Sequence, residues 1–79
     1  MEVAFTEPAR KSLRLIPRKD RVRVLGKAEA LAGAWQGLDI QHLGANEYRL
    51  RVGDWRVLFT REAGVVLVHK VGHRREVYR

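Results

Sequence analysis

Arginine alternates with apolar residues in the second half of the sequence, and this alternation is the strongest chemical signal in the chain. Arg49 and Arg51 lie on one side of a Gly53-Asp54 pair, and Arg56 follows on the other side. A two-residue Gly-Asp loop between alternating runs predicts a β-hairpin with a positive φ at the glycine. In that register Arg51 faces Arg56, and no carboxylate alternates with the arginines on their face. Because directly opposed like charges destabilise paired strands, a sequence shaped by stability alone would avoid this arrangement.

A second polar group follows the last predicted strand and consists of His73, Arg74, Arg75 and Tyr78. Guanidinium groups present planar forks that match phosphate oxygens, and they stay charged at physiological pH. The arginines could simply form a solvated sheet face, but their convergence with this tail favours an anion site for a phosphodiester. Tyr78 could stack on a base, position a leaving oxygen or anchor the tail. His73 could exchange a proton with an RNA 2′-hydroxyl or the leaving 5′-oxygen.

The absence of several known motifs excludes several classes of enzyme. The sequence has no glycine-rich phosphate loop, no Ser-His-Asp set and no paired carboxylates, which removes nucleotide-triphosphate, acyl-transfer and glycosidase chemistry. His42 and His69 are weaker candidates than His73, and the three histidines lack the spacing of metal ligands. We therefore expect neither a metal nor a cofactor.

Composition predicts one small basic domain over residues 1–79. The chain has 16 Lys and Arg against 9 Asp and Glu, a formal net charge of +7. This excess favours a polyanionic partner, with nucleic acid ahead of an acidic protein or a membrane surface. The absence of cysteine fits a reducing compartment. No apolar run approaches the roughly 20 residues that a membrane span requires, so we expect a cytoplasmic protein with no membrane partner.

Hydrophobic periodicity predicts an α+β fold that positions the arginines. Residues 3–5 form a short strand, Thr6 caps a helix, and Pro17 separates this helix from a second one that ends near Gly33 and Gly37. Three strands in a meander follow, from Glu47 onward. We expect a four-stranded antiparallel sheet with two helices packed on one face. Between Ala9 and Lys27 the helices carry a largely solvated basic set with Asp20 as the only acid: Arg10, Lys11, Arg14, Arg18, Lys19, Arg21, Arg23 and Lys27.

The hairpin segment 48–59, YRLRVGDWRVLF, and the tail segment 71–78, VGHRREVY, resemble the RelE branch of the RelE/ParE toxin superfamily. The likeness covers the whole chain in length and element order, and its specific part is the last 35 or so residues. It implies a RelE-like fold and the toxin of a type II toxin-antitoxin system. It also implies a metal-independent endoribonuclease that cuts mRNA in the ribosomal A site. The implied partners are a RelB-like antitoxin that inhibits the toxin, mRNA with the ribosome, and operator DNA reached through the antitoxin.

The same resemblance assigns roles to individual residues. Five positions are implied to be catalytic, namely Arg49, Arg51, Arg56, Arg74 and Tyr78. We add His73 to the predicted catalytic set for its capacity to transfer a proton, and we predict that Lys70, Arg75 and Arg79 bind RNA. The implied reaction is attack of a 2′-hydroxyl on the adjacent phosphate. Some relatives carry lysine where this chain has Arg49 and Arg51. Because arginine practically cannot act as a base, proton transfer is expected to fall to His73, to Tyr78 or to the ribosome.

Two alternatives remain open at this stage. The ParE branch shares the fold and poisons DNA gyrase without being an enzyme, although that branch generally lacks the full arginine and tyrosine set. The other alternative is an inactive or regulatory member that only binds the antitoxin and the operator.

Overall fold

The computed structural model describes residues 1–78 and confirms the α+β class. In chain order the elements are β1 (Glu2–Phe5), α1 (Glu7–Arg14), α2 (Arg18–Glu29), a turn of 3₁₀ helix (Ala30–Ala32), β2 (Ile40–Gly44), β3 (Glu47–Val52), β4 (Trp55–Glu62) and β5 (Val65–His73). Neither α-helix of the described chain has the length and apolar character that a membrane crossing requires.

The first helix begins and ends at the predicted residues, whereas the second only begins where the sequence predicts. The Thr6 side chain accepts a hydrogen bond of 3.2 Å from the Ala9 amide, and α1 stops before Pro17. The second helix ends earlier than expected, because the α-helical hydrogen bonds stop at Glu29 and a 3₁₀ turn continues to Ala32. Trp35 therefore lies outside the helix, although its ring still packs against the core.

The sheet has five strands in the order β1-β5-β4-β3-β2, so the expectation of four was wrong in number. The additional strand is β2, which pairs antiparallel with β3 at one edge. Its five residues are exposed or half-buried, so it lacks the apolar alternation by which a strand is recognised in a sequence. The expectation of a purely antiparallel sheet was also wrong, because β1 pairs parallel with β5. The helical hairpin carries the chain from one edge of the sheet to the other.

The β3–β4 hairpin has the predicted register. Val52 pairs with Trp55, Arg51 with Arg56 and Leu50 with Val57. Gly53 has a φ of 58°, in the left-handed region that glycine adopts without strain.

The core lies between the helices and one face of the sheet, which we call the inner face. Leu31 from the 3₁₀ turn and Leu50, Val57 and Phe59 from the hairpin are almost completely buried there. Helix α1 packs on β5, and α2 packs on β3 and β4. The opposite, outer face carries Arg49, Arg51 and Arg56, because successive side chains of a strand point to opposite faces.

A β-bulge in β5 interrupts this alternation. Leu58 pairs with Lys70 but Phe59 pairs with Val68, so His69 is an extra residue on β5. Val68 and Val71 both belong to the core, which leaves His69 and Lys70 as consecutive residues on the outer side.

Candidate functional site: the outer face of the sheet

The centre of the outer face is a contact between the sheet and the end of the chain. An Nη atom of Arg49 donates a hydrogen bond of 2.6 Å to the hydroxyl of Tyr78, and the guanidinium carbon lies 5.9 Å from the centre of the Tyr78 ring. The other Nη atom of Arg49 donates to the side-chain oxygen of Gln41 on β2. The Nε atom is buried without a hydrogen-bond partner. Two residues that are 29 positions apart thus form one cationic and aromatic unit, with 57% of Tyr78 still exposed.

The tail reaches Arg49 because it turns back over the outer face after β5. The amides of Glu76 and Val77 donate to the carbonyl of His73, each at 2.9 Å, which closes the turn. Val77 is almost completely buried, and its Cβ would lie 3.4 Å from a Cβ placed on Gly72. A Cβ at position 72 would already be in van der Waals contact with Val77, so a bulky side chain there would compete with Val77 for the same space.

Arg56 differs from the other arginines because it is buried, with only 9% of its surface exposed. One Nη atom donates to the carbonyls of Gly53 at 2.7 Å and Trp55 at 2.9 Å. No carboxylate lies within salt-bridge distance of it among residues 1–78. Its guanidinium therefore holds the β3–β4 turn and adds positive charge beneath the outer face.

Carboxylates accompany two of the arginines, which the sequence did not lead us to expect. Asp39 lies 3.5 Å from Arg51, and Asp54 lies 3.5 Å from Arg74. The backbone strengthens both pairings, because the Arg51 amide donates to the Asp39 carbonyl and the Arg74 amide to the Asp54 carbonyl. No carboxylate alternates with the arginines within the hairpin, but Asp39 precedes β2 and reaches Arg51 through strand pairing. These pairs are exposed, so they fix side-chain positions more than they add stability.

His73 lies away from the arginine face. It pairs with Trp55 on the inner side of the sheet, and the two rings meet edge to face at 5.5 Å. Its Nδ1 atom accepts a hydrogen bond of 3.3 Å from the Arg75 amide. The structure thus separates His73 from the arginines and Tyr78, with which the sequence had grouped it.

A groove of about 550 Å³ runs along the outer face beside Tyr78. Its walls include Leu43, Leu58, Thr60, His69, Lys70 and Tyr78. The hydroxyl of Thr60 and Nε2 of His69 are 2.9 Å apart and share a hydrogen bond. From the sequence alone, His69 is a weaker candidate than His73. Strict alternation counted back from Val71 would place His69 on the inner face, so only the bulge puts it in the groove.

The remaining predicted residues occupy the rim of the site or fall outside it. Lys70 lines the groove, whereas Arg75 is exposed in the tail turn. Arg79 lies outside the described residues. No cluster of three or more His, Cys, Asp or Glu side chains within residues 1–78 could hold a metal ion.

Fold and site together define a small α+β domain with a cluster of arginines on one face of its sheet. The family model for the ParE toxin of type II toxin-antitoxin systems matches residues 3–78. The chain therefore belongs to this family, within the RelE/ParE superfamily, and is the toxin of a type II toxin-antitoxin system.

The chain has a fold similar to that of proteins in solved RelE-RelB complexes. The chain is similar to a protein of the RelB-RelE antitoxin-toxin complex from Methanococcus jannaschii, with a TM-score of 0.80, 24% identity, and coverage of 95% of this chain and 94% of that one. It is equally similar to the archaeal RelE-RelB complex from Pyrococcus horikoshii, with a TM-score of 0.79, 24% identity, and coverage of 96% and 97%. The RelBE2 complex from Mycobacterium tuberculosis follows, with a TM-score of 0.75, 22% identity, and coverage of 95% and 92%. A comparison with curated proteins finds no match.

Proposed function

We propose that this toxin is a metal-independent endoribonuclease that cleaves mRNA on the ribosome. The observation that carries the proposal is the Arg49–Tyr78 unit, in which a guanidinium and an exposed aromatic ring share one face with Arg51. The guanidinium can bind a phosphate group, and the aromatic ring can stack on a base. The face is open, which suits a small domain whose substrate is held from the other side by the ribosome.

The reaction moves negative charge onto one phosphate. The 2′-hydroxyl oxygen attacks the adjacent phosphorus and loses its proton, while the bond to the 5′-oxygen breaks and that oxygen takes up a proton. The products are a 2′,3′-cyclic phosphate and a free 5′-hydroxyl. In this scheme Arg49 and Arg51 contact the phosphate oxygens, and buried Arg56 stabilises their growing charge from below. Because His73 lies on the inner face, proton exchange falls to Tyr78 or to groups of the ribosome.

The partner that we propose is a RelB-like antitoxin from the same operon, which would also carry the toxin to operator DNA. The solved relatives were crystallised as antitoxin-toxin complexes. The net charge of +7 and the basic helices suit an acidic, amphipathic partner. Co-expression of the neighbouring reading frame should restore growth and yield a complex that purifies as one species. A ribosomal target also places the toxin in the cytoplasm.

The test of the nuclease activity is brief induction of the toxin in cells, followed by mapping of new 5′ ends in mRNA. Growth should stop and cuts should accumulate within translated reading frames. The Arg49→Ala/Arg51→Ala double variant should cut at least about 100-fold more slowly, since loss of one charge-stabilising donor often has that effect. The control is Arg61→Ala, because Arg61 lies on the neighbouring strand β4 and its guanidinium carbon lies 5.0 Å from the centre of the Trp35 ring. Wild-type rates in the double variant would contradict the proposal.

The second candidate function is inhibition of DNA gyrase. The observation that favours it is the family model itself, which describes a ParE toxin and spans nearly the whole chain. Supercoiling assays with purified gyrase separate the two functions. Inhibition of supercoiling without new mRNA ends would establish the ParE-type activity. Growth that continues without an antitoxin would instead indicate a regulatory member.

A further inference from the structure

The groove beside Tyr78 is large enough for the base of a nucleotide, and its lining combines apolar with polar groups. Its volume of about 550 Å³ falls within the range of small-ligand pockets, roughly 300–1,000 Å³. Leu43 and Leu58 supply apolar surface and Tyr78 supplies an aromatic wall, while Lys70 and Glu47 contribute one positive and one negative charge to the lining. Apolar surface with a cation at its border suits the base of a nucleotide whose phosphate lies on the arginines.

The bulge in β5 brings the His69 side chain into this groove beside Lys70. Because His69 is the extra residue, it shares the outer face with Lys70 instead of joining the core. Bulges occur often next to functional sites, where they redirect a side chain. Without the bulge, the groove would lack the imidazole.

The hydrogen bond between Thr60 and His69 prepares both groups for a ligand. It occupies Nε2 of the imidazole and fixes the orientation of the ring. The bond leaves Nδ1 of His69 and the second hydrogen-bonding capacity of the Thr60 hydroxyl for a ligand. Two fixed polar groups side by side can distinguish bases by the donors and acceptors on their edges.

The spacing along β4 separates this pair from the phosphate site. Leu58 is the strand partner of Arg49, and Thr60 follows two residues later on the same face. Two residues of a strand cover about 7 Å. A nucleotide with its phosphate at Arg49 would place the base, not the reacting phosphorus, next to Thr60 and His69.

We propose that Thr60 and His69 form a base-reading pair that sets the sequence preference of the toxin at a nucleotide adjacent to the cut. The inference rests on the proposed endoribonuclease function for its substrate, but it concerns recognition and assigns no proton transfer to His69. Nucleotides with the matching edge bind and are cut better than the others, while the arginines act on every sequence alike.

The test uses the purified chain and short homopolymeric oligoribonucleotides of A, C, G and U that carry 2′-O-methyl groups. These probes cannot undergo 2′-hydroxyl attack, so binding is measured apart from cleavage, by fluorescence anisotropy. Wild type should prefer one base over the weakest by about tenfold, a typical value for a hydrogen-bonded base contact. Thr60→Val removes the hydroxyl at nearly constant shape, and His69→Phe keeps a ring. Each should reduce the preference to about twofold or less.

The matched control is His42→Phe. His42 lies on β2, stacks on Tyr48 at 4.7 Å and bonds to the Ala45 carbonyl, outside the groove lining. This variant should keep the wild-type preference. Circular dichroism of each variant confirms that the sheet has formed, and Thr60→Val remains decisive if His69→Phe does not fold.

The outcomes separate this inference from the proposed function. Unchanged base preference in Thr60→Val and His69→Phe, or no preference in wild type, would overturn the inference even if mRNA is cleaved. If the wild type binds one base selectively and both variants lose this selectivity, the base-reading inference is supported. If the same toxin cuts no mRNA, only the nuclease proposal fails. In a nuclease, the mapped cut sites should lose their base preference in the same two variants.

Discussion

Arg49 and Tyr78 are joined by a hydrogen bond of 2.6 Å from the guanidinium to the phenol oxygen, so the third strand holds the end of the described chain in place. Tyr78 stays more than half exposed in this position. A residue that served only to anchor the tail would bury its ring, as the neighbouring Val77 buries its side chain. The contact therefore presents an aromatic surface beside a fixed positive charge.

Two substitutions at Tyr78 separate the hydroxyl from the ring. Tyr78→Phe loses a hydrogen bond to a charged group, and we expect mRNA cleavage to slow by about tenfold to 100-fold. Tyr78→Ala also loses base stacking, which contributes about 1–3 kcal/mol, so its rate should be lower again. Cleavage rates on programmed ribosomes measure both effects. Equal rates for the two variants would show that the ring contributes nothing.

Gly72→Val should displace the tail from the sheet. The added side chain would meet Val77, whose Cβ and Cγ2 both lie 3.4 Å from the position that a Cβ on residue 72 would occupy. We expect a loss of about 1–3 kcal/mol in the free energy of unfolding, measured in urea, together with loss of activity. Adding Val77→Ala to this variant should recover part of the stability, because the two side chains compete for one space. Strictly additive effects of the two substitutions would argue against this contact.

Gly26→Ala should stabilise the protein. Gly26 lies inside α2, and a Cβ at this position would have no atom within 4 Å. Alanine is better than glycine by about 1 kcal/mol in a helix interior, which corresponds to a rise of roughly 4–8 °C in Tm. Gly37→Ala is the control: its surroundings are equally open, but its φ of 83° strains any side chain. That variant should lower the Tm, and a rise in it would contradict our assignment of the turn.

Asp39→Asn should strengthen RNA binding while leaving stability nearly unchanged. Asp39 and Arg51 are both mostly exposed, so their pair contributes at most about 1 kcal/mol. Removing the carboxylate leaves Arg51 free to contact phosphate, and affinity at low salt should rise about threefold or more, with a smaller gain at high salt. Glu29→Gln, on the far helix, changes the net charge equally and should have a weaker effect. Equal effects of both variants would indicate a general charge effect.

Local rules were sufficient to predict the parts of the molecule that depend on near neighbours. The cap at Thr6, the break at Pro17 and the register of the β3–β4 hairpin each follow from a few adjacent residues. The opposition of Arg51 and Arg56 was predicted for the same reason, since a two-residue turn determines which residues pair. Together these features predict a pair of helices packed on an antiparallel sheet of sequential strands.

Pairing between distant segments decided the rest of the site. The edge strand β2 lacks a regular apolar alternation, and it forms because β3 offers a free edge. Asp39, which precedes β2, comes with it and neutralises part of the charge of Arg51. The bulge that moves His69 to the outer face exists because β5 must satisfy the core on both sides of it. The turn after His73 folds Tyr78 onto Arg49 and leaves His73 on the opposite face. Residue types and local periodicity thus determined a basic hairpin, whereas contacts between segments far apart in the chain decided which groups share its outer face.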